Sequence, residues 1–334
     1  MNWFKYRLPN SSDIISGGSE RVLKGFAKGF VIAPFANPDE GLMTIPFDIC
    51  NPASTFEPEK SDIPSSTTKE DYDEEVRLII HSLGDKRGKT VAARAIRVDS
   101  NIDIDATFDN LCSAYPDAFV FVFSTQSSGT WIGASPELLL RKEGEFLSTM
   151  ALAGTRPSSE QDIEWDEKNR DEQAMVTEFI IDSLMKHCGT VTAGKTFTKK
   201  AGSIEHICTP ISAYMHPSEL AEEYDDSYCK RLQKLLTELS PTPALCGSDR
   251  SISLELIKKY EKFPREMYGG FCGPNDIEGV TAFFVNLRSA KVSKDAVAVY
   301  AGGGITPLSS PEKEWQETEL KSKTIINKLK TSEE

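Results

Sequence analysis

Residues 133–157 read GASPELLLRKEGEFLSTMALAGTRP and place an acid, a tight glycine turn and a threonine at a spacing that secondary structure alone does not require. Glu137 follows Pro136 and precedes a short apolar run, residues 138–140, that is typical of a strand. A carboxylate at the edge of such a strand is partly buried, which raises its pKa and makes it a candidate proton donor. The alternative, that Ser135 and Glu137 only turn or cap the chain, has equal weight from this stretch alone.

Apolar runs on both sides of this stretch predict a mixed fold with many strands. Strand patterns occupy residues 25–35, 89–98, 118–125, 130–142, 279–292 and 296–305. Helix patterns occupy residues 72–83, 166–187, 226–239, 251–263 and 310–329. Strands outnumber the helices that could connect parallel strands, so we expect an α+β fold of layered, largely antiparallel sheets with outer helices.

The composition disfavours several classes of function. The 334 residues carry a formal charge of −13, which disfavours nucleic acid and anionic membranes as partners because like charges repel. No apolar run approaches the roughly 20 residues that cross a bilayer, and the N-terminal residues lack the apolar core of a secretion signal. We therefore expect a cytoplasmic protein.

The cysteines and histidines do not predict a metal site. The seven cysteines occur singly, without a CxxC pair, and the four histidines lack ligand spacing such as HxxxH. We interpret the cysteines as reduced and mostly buried thiols.

Acidic side chains on two predicted helices form a more specific pattern. Glu314 and Glu317 lie one turn apart on the same face of the C-terminal helix, where their like charges repel each other. Mg²⁺, a hard cation that prefers oxygen ligands, would relieve this repulsion. A solvated helix start favoured by the helix dipole is the stronger interpretation from spacing alone. Glu172 borders the apolar stripe of an earlier helix, so it either reaches into a cleft or stays exposed.

Two further features suggest an anionic ligand. The glycine-rich residues 301–305, AGGGI, follow the apolar part of the last predicted strand and could form a turn whose N–H groups hold an anion. They match neither a Walker A loop nor GxGxxG. Arg288 lies in a predicted strand, where alternation places it on the same face as Asn286 and Phe284. An arginine there needs an anionic partner, either a structural acid or a substrate carboxylate.

Taken in order along the chain, a set of short motifs resembles the chorismate-binding enzymes, and among them most closely the isochorismate synthases. The motifs are GASPELLLRK, ALAGTRP, HICT, PTPALCG, YGGFCG, NLRSA, YAGGGI and EKEWQET. The resemblance implies a large layered sandwich of mainly antiparallel sheets with outer helices, as in anthranilate synthase component I. It also implies a chorismate-binding catalytic domain at residues 72–330, with residues 1–71 supplying a strand-rich segment and a connector to the same fold.

The resemblance implies a magnesium-dependent, reversible conversion of chorismate to isochorismate, in which water adds at C2 of the ring and the C4 hydroxyl leaves. Lys89, in KTVAAR, matches the general base that acts on the attacking water. Glu137, in SPE, matches the general acid that protonates the departing hydroxyl. The residues that match the magnesium ligands are Glu172, Glu314 and Glu317.

The same resemblance implies how the substrate is held. Tyr268 and Arg288 match the residues that clasp the enolpyruvyl carboxylate. The other positions that match the lining of the substrate cleft are Gly154, Thr155, His206, Gly304 and Lys321. Because chorismate carries two carboxylates, an acidic protein needs a metal ion and buried cations to bind it.

Single positions separate the branches of the family. Lys89 stands where anthranilate-forming members typically carry glutamine, and Ala153 stands where aminodeoxychorismate synthases carry a lysine that attacks the substrate. We therefore expect water as the nucleophile, no obligatory glutaminase partner, and a monomer. Ala244 and Leu245 fit synthases that stop at isochorismate better than salicylate synthases, which eliminate pyruvate and are the main rival interpretation. An ammonia-dependent subunit or a noncatalytic chorismate-binding protein would also account for the motifs.

Three residues depart from the family pattern. Ser240 replaces a histidine before PTP, Gln173 replaces a histidine after the acidic residue of its helix, and Glu266 replaces a glycine shortly before YGG. Because they flank the matched chemical positions without removing any, we expect them to affect rate or regulation rather than the class of reaction.

Overall fold

Two antiparallel sheets organise the computed structural model, which describes residues 1–50, 58, 60–84, 88–160, 163–201, 204–215 and 226–332. The first sheet contains, in spatial order, β6 (Ile49–Cys50), β2 (Ile14–Ser19), β1 (Asn2–Arg7), β8 (Phe119–Thr125), β9 (Gly129–Ser135), β17 (Ser289–Val292), β18 (Val297–Ile305) and β7 (Thr90–Val98). The second contains β12 (Thr190–Ala193), β14 (Ile204–Tyr214), β11 (Phe146–Pro157), β10 (Leu138–Glu143), β16 (Thr281–Val285), β15 (Phe271–Asn275), β4 (Gly29–Ala33), β5 (Met43–Ile45) and β3 (Leu23–Lys24), with β13 (Phe197–Ala201) also paired to β14. All of these neighbouring strands pair antiparallel.

Helices connect and cover these sheets. Those of the described chain are α1 (Pro38–Gly41), α2 (Lys69–Leu83), α3 (Ile104–Ala114), α4 (Glu167–Met185), α5 (Asp226–Leu239), α6 (Arg250–Tyr260) and α7 (Pro311–Ile326), together with a short 3-10 helix at Ser158–Glu160. The predicted helix at residues 72–83 starts three residues earlier than expected because the Thr68 hydroxyl caps it, accepting a hydrogen bond from the N–H of Asp71. Within the described ranges, every helix is too short or too polar to span a membrane.

The main core lies between the two sheets and is rich in aromatic side chains. Phe119 of the first sheet and Phe284 of the second stack with ring centroids 4.2 Å apart. On the outer face of the first sheet, Phe108 of α3 and Ile325 of α7 are buried, and α4 packs Val176 against the second sheet. The layers are therefore helix, sheet, sheet and helix, which confirms the predicted α+β sandwich.

The chain passes from one sheet to the other at Pro136 and Glu137. The predicted strand at residues 130–142 is in fact two strands, since β9 lies in the first sheet and β10 in the second. Proline has no N–H to donate to a ladder, so a strand ends readily at this position. This first crossing therefore puts the Glu137 carboxyl group at the junction of the two sheets.

A second crossing, residues 286–288, lies directly beside the first. It divides the predicted strand at residues 279–292 into β16 and β17, which again belong to different sheets. The N–H of Val285 donates to the carbonyl of Glu137 at 3.1 Å, and the N–H of Ala134 donates to the carbonyl of Arg288 at 3.0 Å. The two crossings thus bring the side chains of Glu137 and Arg288 to one region.

Two predictions about local backbone geometry were wrong. Arg288 does not alternate within a strand, because it lies in the crossing with a left-handed φ of 49°. Residues 301–305 do not form an anion-binding turn either, because they belong to β18 and pair with residues 90–94 of β7. The backbone N–H and C=O groups of AGGGI are therefore engaged in the sheet, and its glycines need another explanation.

Candidate active site

A cleft with about 570 Å³ of empty space, part of it open to solvent, lies beside the two crossings. Its lining includes these predicted site residues: Glu137, Gly154, Thr155, Glu172, His206, Tyr268, Arg288 and Lys321. Of the remaining predicted site residues, Lys89 and Glu317 bond to the lining residues Glu172 and Lys321, and Gly304 packs against Glu172. Glu314 lies one step further out and bonds to Lys168. The structure therefore gathers the whole predicted set in one place.

Lys89 is buried at the start of β7, with only 1% of its surface exposed. Its side-chain Nζ donates to Glu172 Oε1 at 2.6 Å. Its backbone is fixed by Ser248, whose hydroxyl accepts from the Lys89 N–H at 3.0 Å. A Cβ atom on Gly304 would lie 2.5 Å from Glu172 Oε1 and 2.6 Å from Lys89 Cε, so only glycine leaves room for this pair. This contact explains the glycine of AGGGI that the sequence placed in the site.

Glu137 has the environment expected of a proton donor. It is only 3% exposed, and the Thr242 hydroxyl donates to its Oε1 at 3.5 Å. Burial raises the pKa of Glu137 to about 7, although the positive charges of Lys89 and Lys199 oppose that rise. The predicted increase is confirmed. Ser135 does accept from the Glu137 N–H, at 3.3 Å, so the serine shapes the turn while the acid faces the cleft.

His206 and Arg288 form a hydrogen-bonded pair in the wall of the cleft. His206 Nδ1 lies 2.7 Å from the carbonyl oxygen of Gly154, which can only accept, so Nδ1 carries the proton. Nε2 therefore accepts from the Arg288 guanidinium at 3.1 Å. Burial and the charge of Arg288 lower the pKa of His206 to about 3, which keeps the imidazole neutral. His206 is thus suited to orient Arg288 rather than to transfer a proton.

Arg288 is a buried cation without a carboxylate partner among the described residues. It is 7% exposed, and its guanidinium donates to His206 and to the Thr324 hydroxyl, the latter at 3.2 Å. Burial lowers the pKa of Arg288 to about 10, so the group still carries its charge at neutral pH. Of the two partners considered for this arginine, a structural acid in direct contact is not found among the described residues.

Replacing Arg288 with methionine is expected to increase stability and to weaken ligand binding. A buried charge without an acid costs free energy, so R288M should raise the free energy of unfolding by about 1 kcal/mol. If chorismate, the substrate that the resemblance implies, binds here, R288M should also weaken its binding by at least about 30-fold, because a substrate carboxylate would lose a buried cation. Urea unfolding and a titration with chorismate measure the two effects.

The matched control is R265M, which removes a second buried arginine that does have an acid partner. Arg265 Nε donates to Glu261 at 2.8 Å, and its guanidinium also donates to the carbonyls of Leu245 and Val91. Breaking this pair should lower the free energy of unfolding by about 3–5 kcal/mol. If R288M were destabilised as much as R265M, the idea that Arg288 lacks an acid partner within the fold would be wrong.

Each of the three glutamates predicted to hold magnesium is bonded to a lysine. The pairs are Glu172 with Lys89 at 2.6 Å, Glu314 with Lys168 at 2.7 Å, and Glu317 with Lys321 at 2.6 Å. With these pairs in place, no three His, Cys, Asp or Glu side chains of the described chain converge closely enough to hold a metal ion. Magnesium binding would therefore require exchange of at least some of these lysine contacts.

The same carboxylates nevertheless fit a hard cation in their chemistry. Glu314 Oε2 is buried and has no hydrogen-bond partner among the described atoms. Burial and the neighbouring Glu317 raise the pKa of Glu314. Glu317 is half-buried, which tends to raise its pKa, but Lys321 and Lys168 lower the pKa to about 2. Partial burial lowers the pKa of Lys168, but Glu314, Glu317 and Glu172 raise it by more, so three carboxylates act on one half-buried cation.

Several residues of this region were missed at the level of sequence. Lys168 lies four residues before Glu172, and this spacing places both on one face of α4. Thr242 lies inside the motif PTPALCG and bonds to Glu137. Asn169 accepts a hydrogen bond from the N–H of Thr155 at 3.2 Å. The helical spacing was a usable signal for Lys168, whereas the other contacts depend on tertiary structure.

The three departures from the family pattern lie outside the lining of the cleft. Ser240 is not among the lining residues, and Gln173 donates to the hydroxyls of Thr177 and Thr209 at 2.9 and 2.6 Å. Glu266 adopts a left-handed φ of 49°, a conformation that favours glycine, and its carboxylate pairs with Lys291 at 2.8 Å.

Comparisons with known proteins identify the family of this chain. Residues 48–330 match the model of the family described as chorismate binding enzyme. Isochorismate synthase EntC of Escherichia coli strain K12 is 31% identical over 283 residues, which cover 80% of this chain and 68% of EntC.

Solved structures show the same fold. MenF, the menaquinone-specific isochorismate synthase from Escherichia coli, superimposes with a TM-score of 0.79 at 22% identity, covering 98% of this chain and 88% of MenF. Anthranilate synthase component I from Streptococcus pneumoniae TIGR4 gives a TM-score of 0.68 at 14% identity, covering 96% of this chain and 89% of that one. At these identities the two structures establish the fold alone, while the family match and the EntC similarity establish the family. The chain belongs to the chorismate-binding enzymes.

Proposed function

We propose that this protein is an isochorismate synthase, which converts chorismate to isochorismate reversibly by adding water at C2 and releasing the C4 hydroxyl. The relatives named EntC and MenF are isochorismate synthases, which supports the reaction class. The observation that carries the proposal is a buried acid in the lining of the cleft, Glu137, whose pKa lies near 7, together with a buried lysine, Lys89, that bonds to the lining residue Glu172. Such a pair suits a reaction that needs one proton removed and one delivered.

In the proposed reaction, Lys89 and Glu137 move one proton each. Lys89 is the base that takes a proton from the water whose oxygen bonds to C2. The ring double bond shifts, the bond from C4 to its oxygen breaks, and Glu137 gives its proton to that oxygen. One water enters and one leaves, so the formula of the product equals that of chorismate. In the reverse direction the two residues exchange roles.

The carboxylates of chorismate are proposed to bind at two places. Arg288, which has no acid partner among the described residues, and Tyr268 would hold the enolpyruvyl carboxylate. Neutral His206 fixes the guanidinium for this task. Magnesium is proposed as the cofactor, held by Glu172, Glu314 and Glu317. When bound, it would supply the positive charge that the ring carboxylate needs beside these acids.

Ala153 supports water as the nucleophile. Its small side chain lines the cleft at the position where the resemblance places an attacking lysine in aminodeoxychorismate synthases. We accordingly propose that no glutaminase partner is needed. We further propose a cytoplasmic location, since Cys208, Cys246 and Cys272 are buried free thiols, as is typical of a reducing compartment. A monomer is proposed because the exposed large apolar side chains, such as Phe146 and Leu308, are spread over different elements.

The test is to incubate the purified protein with chorismate and Mg²⁺, without glutamine or ammonia, and to separate the products by chromatography. We expect isochorismate, lost on chelation with EDTA and restored by added Mg²⁺. Salicylate with pyruvate would instead identify a salicylate synthase. Unchanged chorismate would overturn both activities, and light scattering of the same sample would test the monomer.

A further inference from the structure

Lys199 points from an outer strand toward the crossing that carries the proton donor. It lies in β13, where the register pairs it with His206 of β14, so both side chains lie on the same face of the sheet. Its Nζ donates to the carbonyl oxygen of Pro136 at 3.0 Å and lies 3.5 Å from Met150 Sδ. Pro136 is the residue directly before Glu137. The lysine is therefore tied to the turn that positions this acid.

The direction of this side chain is unusual for its place in the fold. The neighbours Phe197, Thr198 and Lys200 are exposed, and a lysine on such a strand normally extends its ammonium group into water. Lys199 is instead half-buried, and the ion pairs found within the described residues do not include it. Its charge is thus directed inward without a carboxylate that neutralises it by direct contact.

We infer that Lys199 is a positioning residue for Glu137, which holds the Pro136 carbonyl from outside the cleft and places a positive charge beside the proton donor. This inference rests on the proposed role of Glu137 as the general acid. Lys199 is not among the residues that line the cleft.

The groups that face Glu137 come from separate elements. The groups that favour its charge are Lys89 directly before β7, Lys199 in β13, the Thr242 hydroxyl after α5, and Arg288 in the second crossing. Burial opposes this charge. The Cys208 thiol of β14 also interacts with both Glu137 and Lys199, and burial raises the pKa of this thiol. Lys89 and Arg288 also have proposed contacts with water or substrate. Lys199 is the cation of this set that can be changed without altering those contacts.

The role of Glu137 as an acid determines in which direction the pH profile should move when Lys199 is replaced. Glu137 must be protonated to act, so activity falls as the pH rises through its pKa. Removing the positive charge of Lys199 disfavours the carboxylate, which raises the pKa of Glu137. The alkaline limb of the pH profile should then move to higher pH. A purely structural role would lower activity without moving that limb.

The experiment measures kcat/KM for chorismate against pH in wild type, K199M, K199R and K200M. In K199M, we expect the midpoint of the alkaline limb to rise by about half a pH unit or more. K199R keeps the charge and should restore the limb. K200M is the matched control, because it removes the same charge from an adjacent exposed residue on the opposite face, and its limb should stay in place.

The outcomes separate the inference from the proposed function. An unmoved alkaline limb in a folded K199M, with a normal wild-type profile, overturns the inference and leaves the role of Glu137 intact. Full activity in E137Q overturns the role of Glu137 and the inference with it. Circular dichroism checks that each variant is folded. If K199M does not fold, the test relies on K199R, which retains the charge. An alkaline limb that moves in K199R would then contradict the inference.

Discussion

Replacing Lys89 with alanine or glutamine is expected to lower kcat by about 10²–10⁴-fold, the range that a positioned general base contributes. The attacking water would have no group to take its proton, since Glu172, the neighbour bonded to Lys89, is proposed to hold magnesium. Chorismate binding in the presence of Mg²⁺ should persist, because Arg288 and the carboxylates remain. Product chromatography measures turnover, and calorimetric titration measures binding.

The matched control for Lys89 is K291M, which removes another buried lysine bonded to a glutamate. Lys291 is 6% exposed and pairs with Glu266 at 2.8 Å, away from the lining of the cleft. K291M should lose stability while kcat in the folded protein stays close to wild type. Wild-type turnover in K89A or K89Q would show that another group is the base.

Replacing Glu137 with glutamine should produce a loss of similar size, about 10²–10⁴-fold in kcat, because an amide cannot deliver a proton to the departing oxygen. E137Q keeps the size of the side chain and its contact with Thr242, so the cleft should stay intact. The residual rate should also lose the alkaline limb that reports the ionisation of this acid. A kcat within about twofold of wild type would contradict the assignment of the proton donor.

E137Q should also change the free energy of unfolding, in a direction that follows from the raised pKa of Glu137. Glu137 titrates at about 7 in the folded protein, above its ordinary value of 4.5, so the fold favours the neutral acid. The stabilising contribution is fully present below about pH 4.5 and is lost as the pH rises through about 7, in total on the order of 3 kcal/mol. E137Q should therefore gain stability relative to wild type between about pH 5 and about pH 8. Urea unfolding of wild type and E137Q at about pH 5 and about pH 8 measures this gain. A difference in unfolding free energy between the two proteins that is the same at both pH values would argue against a raised pKa.

The sequence predicts which strands and helices form the layers of this fold better than it predicts where the chain passes from one sheet to the other. Apolar alternation continues across Pro136, so residues 130–142 have the pattern of one strand. Whether β9 and β10 share a sheet depends on their partners, β17 and β16, which both lie in the last quarter of the chain. Local periodicity carries no information about such pairing. The sequence therefore showed an acid at an unexpected position, Glu137, but not that the chain changes sheets there.

The ion pairs of the site show the same limit. Lys321 and Glu317 are four residues apart on one helix, a spacing from which contact can be predicted. Lys89 and Glu172 are 83 residues apart, and Lys168 and Glu314 are 146 apart. The acids of these pairs were identified from the resemblance to the family. The lysine bonded to Glu314 was identified only from the three-dimensional structure.

The proposed function requires that a molecule of solvent water adds to C2 of chorismate while the C4 oxygen departs. Running the reaction in water enriched in oxygen-18, with analysis of early product by mass spectrometry and carbon NMR, follows that oxygen atom itself. We expect isochorismate with one heavy oxygen, located on the C2 hydroxyl, and formed without ammonia. Isochorismate that carries no heavy oxygen at C2 would contradict the proposed water addition.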